Sequence, residues 1–516
     1  MTVAANSTST THVDVLIVGA GISGVGSAYH LQQQCPDKSY VILEMKETFG
    51  GTWETHKYPG IRSDSDLYTF GYRFKPWVGP PIATAEEILK YMGEVIEENG
   101  IDAHIRYGHR ISRCSWSSSD NLWTVTAERL DDGAEVTFTC NFLWMCQGYY
   151  DHEKPYLPDW PGLDSYQGEF VHAQLWDPEI DYTDKRVLVI GSGATAATVV
   201  PAFAEKAKHV TMLQRSPTYF FCHPNRNELA DRLREIGIDE PTVHRVVRAQ
   251  ILYDQNQMTQ RCLEEPDAVF EELKELIRLY AGEDFEFEPH FTPKYRPWQQ
   301  RLAFCPDGDV FQAAAAGKLT VVTDTIDTFT PKGVRTVSGE EIEADIIVAA
   351  TGFRLSVMGE IPFEVDGKPV AWNDTVTYRG MMFTGVPNLL WVFGYFRASW
   401  TLRVDMLGDF VCRLLNHMDA IGAKRVEVAL REEDRDMPIL PWIEQDNFNP
   451  NYLMRDLDRL PRRGDKPEWR HNQDYWRERE EIPAIDIDGP EFLYDGKRQA
   501  GTGRKSGGAS RKVASA

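Results

Sequence analysis

The 516 residues carry 55 Lys and Arg against 78 Asp and Glu, a formal net charge of −23, which argues against a nucleic-acid partner because binding a polyanion needs a basic face. Hydrophobic residues make up 42% and charged residues 26%, ordinary for a globular chain with a sizeable core and long enough for two or three domains. The eight cysteines, at 35, 114, 140, 146, 222, 262, 305 and 412, form no C-x-x-C pair, so neither a metal site nor a redox dithiol is expected, and their scatter fits a reducing cytoplasm.

Residues 1–11 are polar and Ser/Thr-rich, without the basic start and apolar run of a secretory signal; a disordered tail is expected. Residues 13–18 then form a short apolar run suited to a buried parallel strand. The turn Gly19-Ala-Gly21-Ile-Ser-Gly24 follows at once, and residues 22–33 read as a helix. Residues 40–43 are the next strand, closed by Glu44. Strand, glycine turn, helix, strand and acid in this order predict a dinucleotide-binding unit. The helix N-terminus faces the phosphates, and Glu44 is placed to accept from a ribose hydroxyl. Next come Gly50-Gly51-Thr52-Trp53 and Tyr58-Pro59-Gly60-Ile-Arg62-Ser-Asp64, whose glycines, proline and aromatic fit a loop lying against a flat ring. Trp53 reads equally as an ordinary packed aromatic.

Residues 142–145 are another buried strand, ending at Cys146-Gln-Gly148. The nucleotide pattern then recurs: strand 186–190, turn Gly191-Ser-Gly193-Ala-Thr-Ala196, helix 197–207 and strand 209–213. No acid closes this unit; Gln214-Arg215-Ser216 does, and an arginine there suits a 2′-phosphate, favouring NADP over NAD. Two such turns imply two dinucleotides and a transfer of electrons between them. Residues 225–288 are charged and helical, a helical insertion within the second nucleotide unit, and residues 345–350 return to a buried strand. Residues 388–415 are apolar but carry Arg397, Arg403, Asp405, Asp409 and Arg413, too charged for a bilayer span.

The fold class expected is therefore α/β, with two Rossmann-like domains and a helical insertion. The expected division runs 12–148 (first nucleotide domain, first part), 149–221 (second domain, first part), 222–295 (insertion), 296–350 (second domain, second part) and 351–496 (return to the first domain). The tails 1–11 and 497–516 are expected to be disordered.

Between the two turns lies Tyr166-Gln-Gly168-Glu-Phe-Val-His172-Ala-Gln-Leu-Trp176-Asp177. With both turns and residues 50–64 it resembles the type I Baeyer–Villiger monooxygenases, flavoproteins using FAD and NADPH. Their fingerprint F-x-G-x-x-x-H-x-x-x-W-[P/D] is matched at Gly168, His172, Trp176 and Asp177, with Tyr166 in place of Phe. Their second pattern, [A/G]-G-x-W-x-x-x-x-[F/Y]-P-x-x-x-x-D, is matched from Gly50 to Asp64. Pro297-Trp-Gln-Gln-Arg301-Leu, Pro306-Asp-Gly-Asp309 and Ala398-Ser-Trp400-Thr look like the ethionamide-activating branch.

The resemblance implies that NADPH reduces FAD, that O2 adds to flavin C4a, and that the resulting peroxyanion attacks a ketone to give an ester or lactone. It implies sulfoxidation as a side activity, and a small apolar ketone or thioether as substrate. The family's catalytic arginine matches Arg301, with Arg296 as the alternative, and the carboxylate beside it matches Asp64. Gly19, Gly21, Gly24, Glu44, Gly51, Thr52, Trp53 and Asp64 would hold FAD; Gly191, Gly193, Ala196, Arg215 and Ser216 would hold NADPH. Gly168, His172 and Trp176 would serve as a conformational linker, with His172 away from the flavin loop and not a general base. Gln300 stands where the family often has Lys, which leaves NADPH preference to Arg215 and its neighbours. Rival readings are an N- or S-oxygenating flavin monooxygenase, a disulfide reductase lacking its cysteine pair, and a non-enzymatic flavoprotein. A monomer or small homo-oligomer is expected.

Overall fold

The computed structural model describes residues 10–498. Strand Thr11–Val18 is the centre of the first sheet, pairing in parallel with Tyr40–Leu43 on one side and Glu135–Met145 on the other. Its last five residues but one are buried, as expected of an interior parallel strand covered on both faces. Outward from Glu135–Met145 come Leu122–Arg129, His109–Ser117, Phe363–Val365 and Lys368–Pro369; Ile105–Arg106 lies beyond Tyr40–Leu43, and Leu389–Trp391 also pairs with Glu135–Met145. The first sheet thus recruits strands from both ends of the chain. Helix Trp400–Ile421 packs on Ile22–Gln34 and buries a long apolar face despite its charges. Arg403 is fully buried but donates from Nε to Glu478 Oε2 at 2.8 Å and from Nη1 to the Phe393 carbonyl at 2.6 Å. A buried ion needs such partners to offset its lost hydration.

The second sheet is parallel throughout, in the order Leu319–Thr323, His209–Gln214, Arg186–Ile190, Ile346–Ala349 and Glu169–His172. Its glycine turn leads into helix Ala194–Lys206. Both glycine turns stand at the carboxyl ends of central strands, where open α/β sheets bind ligands.

Three helices fill the insertion: Glu228–Glu235, Glu240–Glu264 and Pro266–Ala281. The second is capped by Asp239, whose side chain accepts from the Thr242 amide. It does not serve the second nucleotide fold alone. Val243, Val247 and Leu252 join the core of the first fold, and Arg248 Nη1 donates to the carbonyls of Tyr68, Thr69 and Gly71 at 3.0, 3.1 and 2.8 Å. Helix Pro266–Ala281 instead packs beside strand Phe220–His223 and helix Asp309–Ala315. The insertion therefore bridges the two folds.

The expected tails lie mostly outside the described residues. Order extends further than expected at both ends: Thr11 opens the first strand, and Lys497–Arg498 pairs with Phe492–Tyr494. Among the described residues no helix is long and apolar enough to cross a membrane.

Candidate active site

A cavity of about 620 Å³ runs along the carboxyl edge of the first sheet. Gly19, Gly21, Glu44, Gly51, Thr52, Trp53, Asp64 and Arg301 all line it. The first turn is tight: a Cβ on Gly24 would lie 1.9 Å from the Gly19 carbonyl oxygen, so no larger residue fits there. Helix Ile22–Gln34 starts at Gly21 and turns its N-terminus toward the cavity. Glu44 is buried, and its oxygens accept from the backbone amides of Ala20 (2.8 Å) and Lys46 (2.9 Å). Burial outweighs these bonds and raises its pKa above the usual carboxylate value. Each oxygen retains a lone pair for a further donor. Trp53 lines the cavity and meets Phe70 edge-on at 5.7 Å, so both of its sequence readings describe one position.

Arg301 and Asp64 come from different folds and meet in the cavity wall, Nη2 to Oδ2 at 3.0 Å. Each side chain is about a third exposed, 32% and 31%, so the guanidinium retains an open face. Burial opposes its charge, but the neighbouring Asp64 carboxylate favours it, and its pKa is raised. The phenols of Tyr149, Tyr150 and Tyr452 are raised by burial and stay neutral. Tyr149 Oη donates to Tyr150 Oη at 2.7 Å, and Tyr149 stacks on Trp400, whose Nε1 donates to Ser23 Oγ at 2.8 Å. Arg296 is elsewhere: its Nη2 donates to the Asn447 carbonyl at 3.0 Å.

The second turn, with Gly191 and Gly193, is partly open to solvent, and Ala196 is buried where the third glycine would stand. Ser192 Oγ donates to the Ser216 carbonyl at 3.0 Å, which brings the Arg215–Ser216 end of the next strand beside the turn. Arg215 is exposed.

Residues 166–177 are not a free connection. Glu169–His172 is an edge strand of the second sheet, in register with Ile346–Ala349. Tyr166, which replaces Phe, uses its hydroxyl to donate to the Ala344 carbonyl at 3.0 Å, beside Gly168. Trp176 is buried against Phe203 and Tyr182. His172 was expected away from the flavin loop; it is instead in a buried neighbourhood with His56, which directly follows the Thr52–Thr55 helix of that loop, and with His152. Strand pairing carries it there, a long-range effect that no local pattern signals. Its Nδ1 accepts from the Gln174 amide at 3.1 Å, and burial lowers its pKa to about 4. It is therefore neutral and enclosed.

Sequence reasoning passed over Gln147, Tyr149, Tyr150 and Tyr452. Gln147 lines the cavity with both amide atoms buried and unpartnered. Its place at the end of strand Glu135–Met145, beside the first glycine turn, was the available signal; Tyr452 had none. Cys222 and Cys305 face one another in register, and Cys35 adjoins Cys412, yet neither pair lines the cavity. Cys146 does, with Ser27 Oγ as its neighbour at 3.4 Å.

Two nucleotide folds, with a cavity that holds the first glycine turn and an Asp–Arg pair joining the folds in its wall, define a two-dinucleotide flavoprotein oxidoreductase. The model for pyridine nucleotide-disulphide oxidoreductases matches residues 13–268. The FAD-containing monooxygenase EthA of Mycobacterium tuberculosis strain H37Rv is 44% identical over 496 residues, covering 96% of this chain and 100% of that one. The chain belongs to this family of FAD-containing monooxygenases. Among solved structures, OTEMO in complex with FAD and NADP superposes with a TM-score of 0.71 at 20% identity, over 94% of this chain and 100% of that one. Oxidized steroid monooxygenase bound to NADP gives 0.71 at 22%, over 94% and 99%. The fold is the one these two structures share.

Proposed function

We propose that this monooxygenase consumes NADPH and O2 to insert one oxygen atom into ketones, giving esters or lactones, with sulfoxidation of thioethers as a side activity. The observation that carries the reading is the Arg301 guanidinium, held by Asp64 with an open face in the wall of the cavity.

The residues present fit FAD. The unpartnered amide of Gln147 could donate to and accept from a bound flavin, the first glycine turn leaves room for a pyrophosphate, and Glu44 has acceptor capacity left for a ribose hydroxyl. Thr52 and Trp53 would flank the ring system. The second turn, with Arg215 and Ser216, would hold NADPH. Bound there, FAD would supply the activation of O2 with electrons from NADPH.

The protein's own contribution is electrostatic. Arg301 offers a fixed positive charge where negative charge develops on the oxygen being transferred and then on the attacked carbonyl. Asp64 keeps that guanidinium from turning away. The aromatic wall of Tyr149, Phe70, Tyr395 and Trp400 excludes water and suits an apolar substrate.

The deciding experiment supplies NADPH in air with a panel of ketones and thioethers and identifies the products. Ester or lactone supports the proposal. Sulfoxide or N-oxide alone would assign the protein to N- or S-oxygenation, and peroxide alone would defeat the monooxygenase reading of this site.

A further inference from the structure

A second ion pair joins the two segments that carry Asp64 and Arg301. Arg62 Nη1 lies 2.5 Å from Asp309 Oδ2. Arg62 is two residues before Asp64, and Asp309 is eight residues after Arg301. We propose that Arg62 and Asp309 are positioning residues, which fix the 58–64 loop of the first fold on the second fold and so set the distance between Asp64 and Arg301. The proposal rests on the reading of Arg301 as the catalytic cation.

The loop is built to dock on the second fold. Tyr58 is buried in the core of that fold, and Ile61 packs against it. Gly60, at φ +74°, passes so close to helix Ala194–Lys206 that a Cβ would lie 2.7 Å from Ala202 Cβ and 3.0 Å from the Thr198 carbonyl. Arg62 also donates from Nη2 to the Ala197 carbonyl at 3.4 Å. On its other side the loop is tied to the first fold, where the Ser63 amide donates to the Ala83 carbonyl (2.8 Å) and the Ala85 amide to the Ile61 carbonyl (3.1 Å).

Asp309 is equally constrained. Its Oδ1 accepts from the Val310 amide at 2.8 Å and from Cys305 Sγ at 3.2 Å, which leaves Oδ2 for Arg62. Cys305 belongs to strand Ala303–Pro306, which begins two residues after Arg301 and pairs with Phe220–His223. Arg301 and Asp309 therefore sit on one braced unit. The side chains of Arg62 and Asp309 are 16% and 25% exposed, so water screens the pair only in part. Two residues of extended chain span at most about 7 Å, so a shift of Arg62 is passed to Asp64 with little room to be absorbed. A misplacement of about 1 Å at a reacting centre can cost on the order of a hundredfold in rate.

The test is Asp309→Asn, which keeps the size of the side chain and removes its charge. Two rates separate positioning from general damage: anaerobic reduction of the bound flavin by NADPH, and the ratio of oxygenated product to peroxide in air. Reduction should stay within about twofold while the product-to-peroxide ratio falls roughly tenfold or more. Asp309→Glu, or the exchange Arg62→Asp with Asp309→Arg, should recover part of the ratio. If Asp309→Asn does not fold, Arg62→Lys and Arg62→Gln carry the same test. A wild-type ratio in these variants, even with a lowered Tm, overturns the proposal. Arg301→Ala, measured in parallel, separates the two failures: full product formation there sinks the role of Arg301 and the clamp with it, whereas lost product there with a wild-type ratio in the clamp variants sinks the clamp alone.

Discussion

Asp64 Oδ2 lies 3.0 Å from Arg301 Nη2, and the pair joins a loop of the first nucleotide fold to a segment of the second. The pair can form only when both folds are in place, so the charge proposed to serve oxygen transfer depends on domain arrangement as much as on residue identity.

Arg301→Ala is expected to leave a yellow protein that NADPH still reduces. Oxygenated product should fall by roughly a hundredfold, the usual scale for losing one preorganised charge donor, with peroxide released instead. Arg301→Lys should not restore it, because an ammonium lacks the several nitrogens by which a guanidinium can meet Asp64 with one and face the cavity with the others. Product analysis beside oxygen uptake decides this; wild-type yield from either variant contradicts the assignment.

For Asp64→Asn the expected loss is smaller, roughly tenfold in product formation. The guanidinium stays present but loses the carboxylate that orients it. Flavin reduction under anaerobic conditions should be unchanged. Equal loss in reduction and oxygenation would mean that Asp64 acts on flavin binding instead.

Arg215 is exposed beside the second turn, and Gln300 adjoins Arg301. Arg215→Ala should raise the KM for NADPH roughly tenfold and leave that for NADH nearly unchanged, since only NADPH carries the 2′-phosphate. Gln300→Lys should sharpen the preference for NADPH. Parallel steady-state kinetics with both coenzymes would expose an error through equal changes in the two KM values.

Two buried histidines, His56 and His172, and the half-buried His152 set an acid limit. Burial first, and neighbouring charges second, lower His56 to about 3 and His152 to about 4; burial lowers His172 to about 4. Unfolded, each titrates near 6.5. A folded-state pKa below the unfolded one means that the unfolded chain binds protons first as pH falls. Stability is therefore fully present above pH 6.5 and is lost between about 6.5 and 4, and for His56 down to about 3, at up to about 1.4 kcal/mol per pH unit for each histidine. Denaturant titrations across this window should show the decline, and His172→Gln should flatten it. An unchanged slope would place His172 outside the effect.

Tyr166→Phe should cost about 1 kcal/mol of stability, the net worth of its bond to the Ala344 carbonyl, and leave turnover unaltered. Thermal unfolding beside product formation tests both halves of that statement.

Much was legible in the chain itself. Both nucleotide units, their glycine turns, and the closing Glu44 and Arg215 follow from local rules: apolar strand, tight turn, helix. Each lies within some 30 consecutive residues, so short-range geometry specifies them. The 50–64 and 166–177 patterns, together with both glycine turns, likewise carry the family resemblance in short stretches of chain.

The tertiary structure decided what no short stretch encodes. Glu169–His172 became an edge strand because Ile346–Ala349, more than 170 residues away, offers it a hydrogen-bonding partner. That pairing buries His172 near His56. Helix Glu240–Glu264 left the fold it interrupts because Val243, Val247 and Leu252 find apolar surface on the first fold, with Arg248 satisfying three carbonyls there. Tyr452 reaches Arg301 from the far end of the chain, and Arg62 meets Asp309 across the domain junction. Sequence determined the parts and their chemistry; distances between parts depend on burial and pairing over hundreds of residues, and only the folded chain sets them.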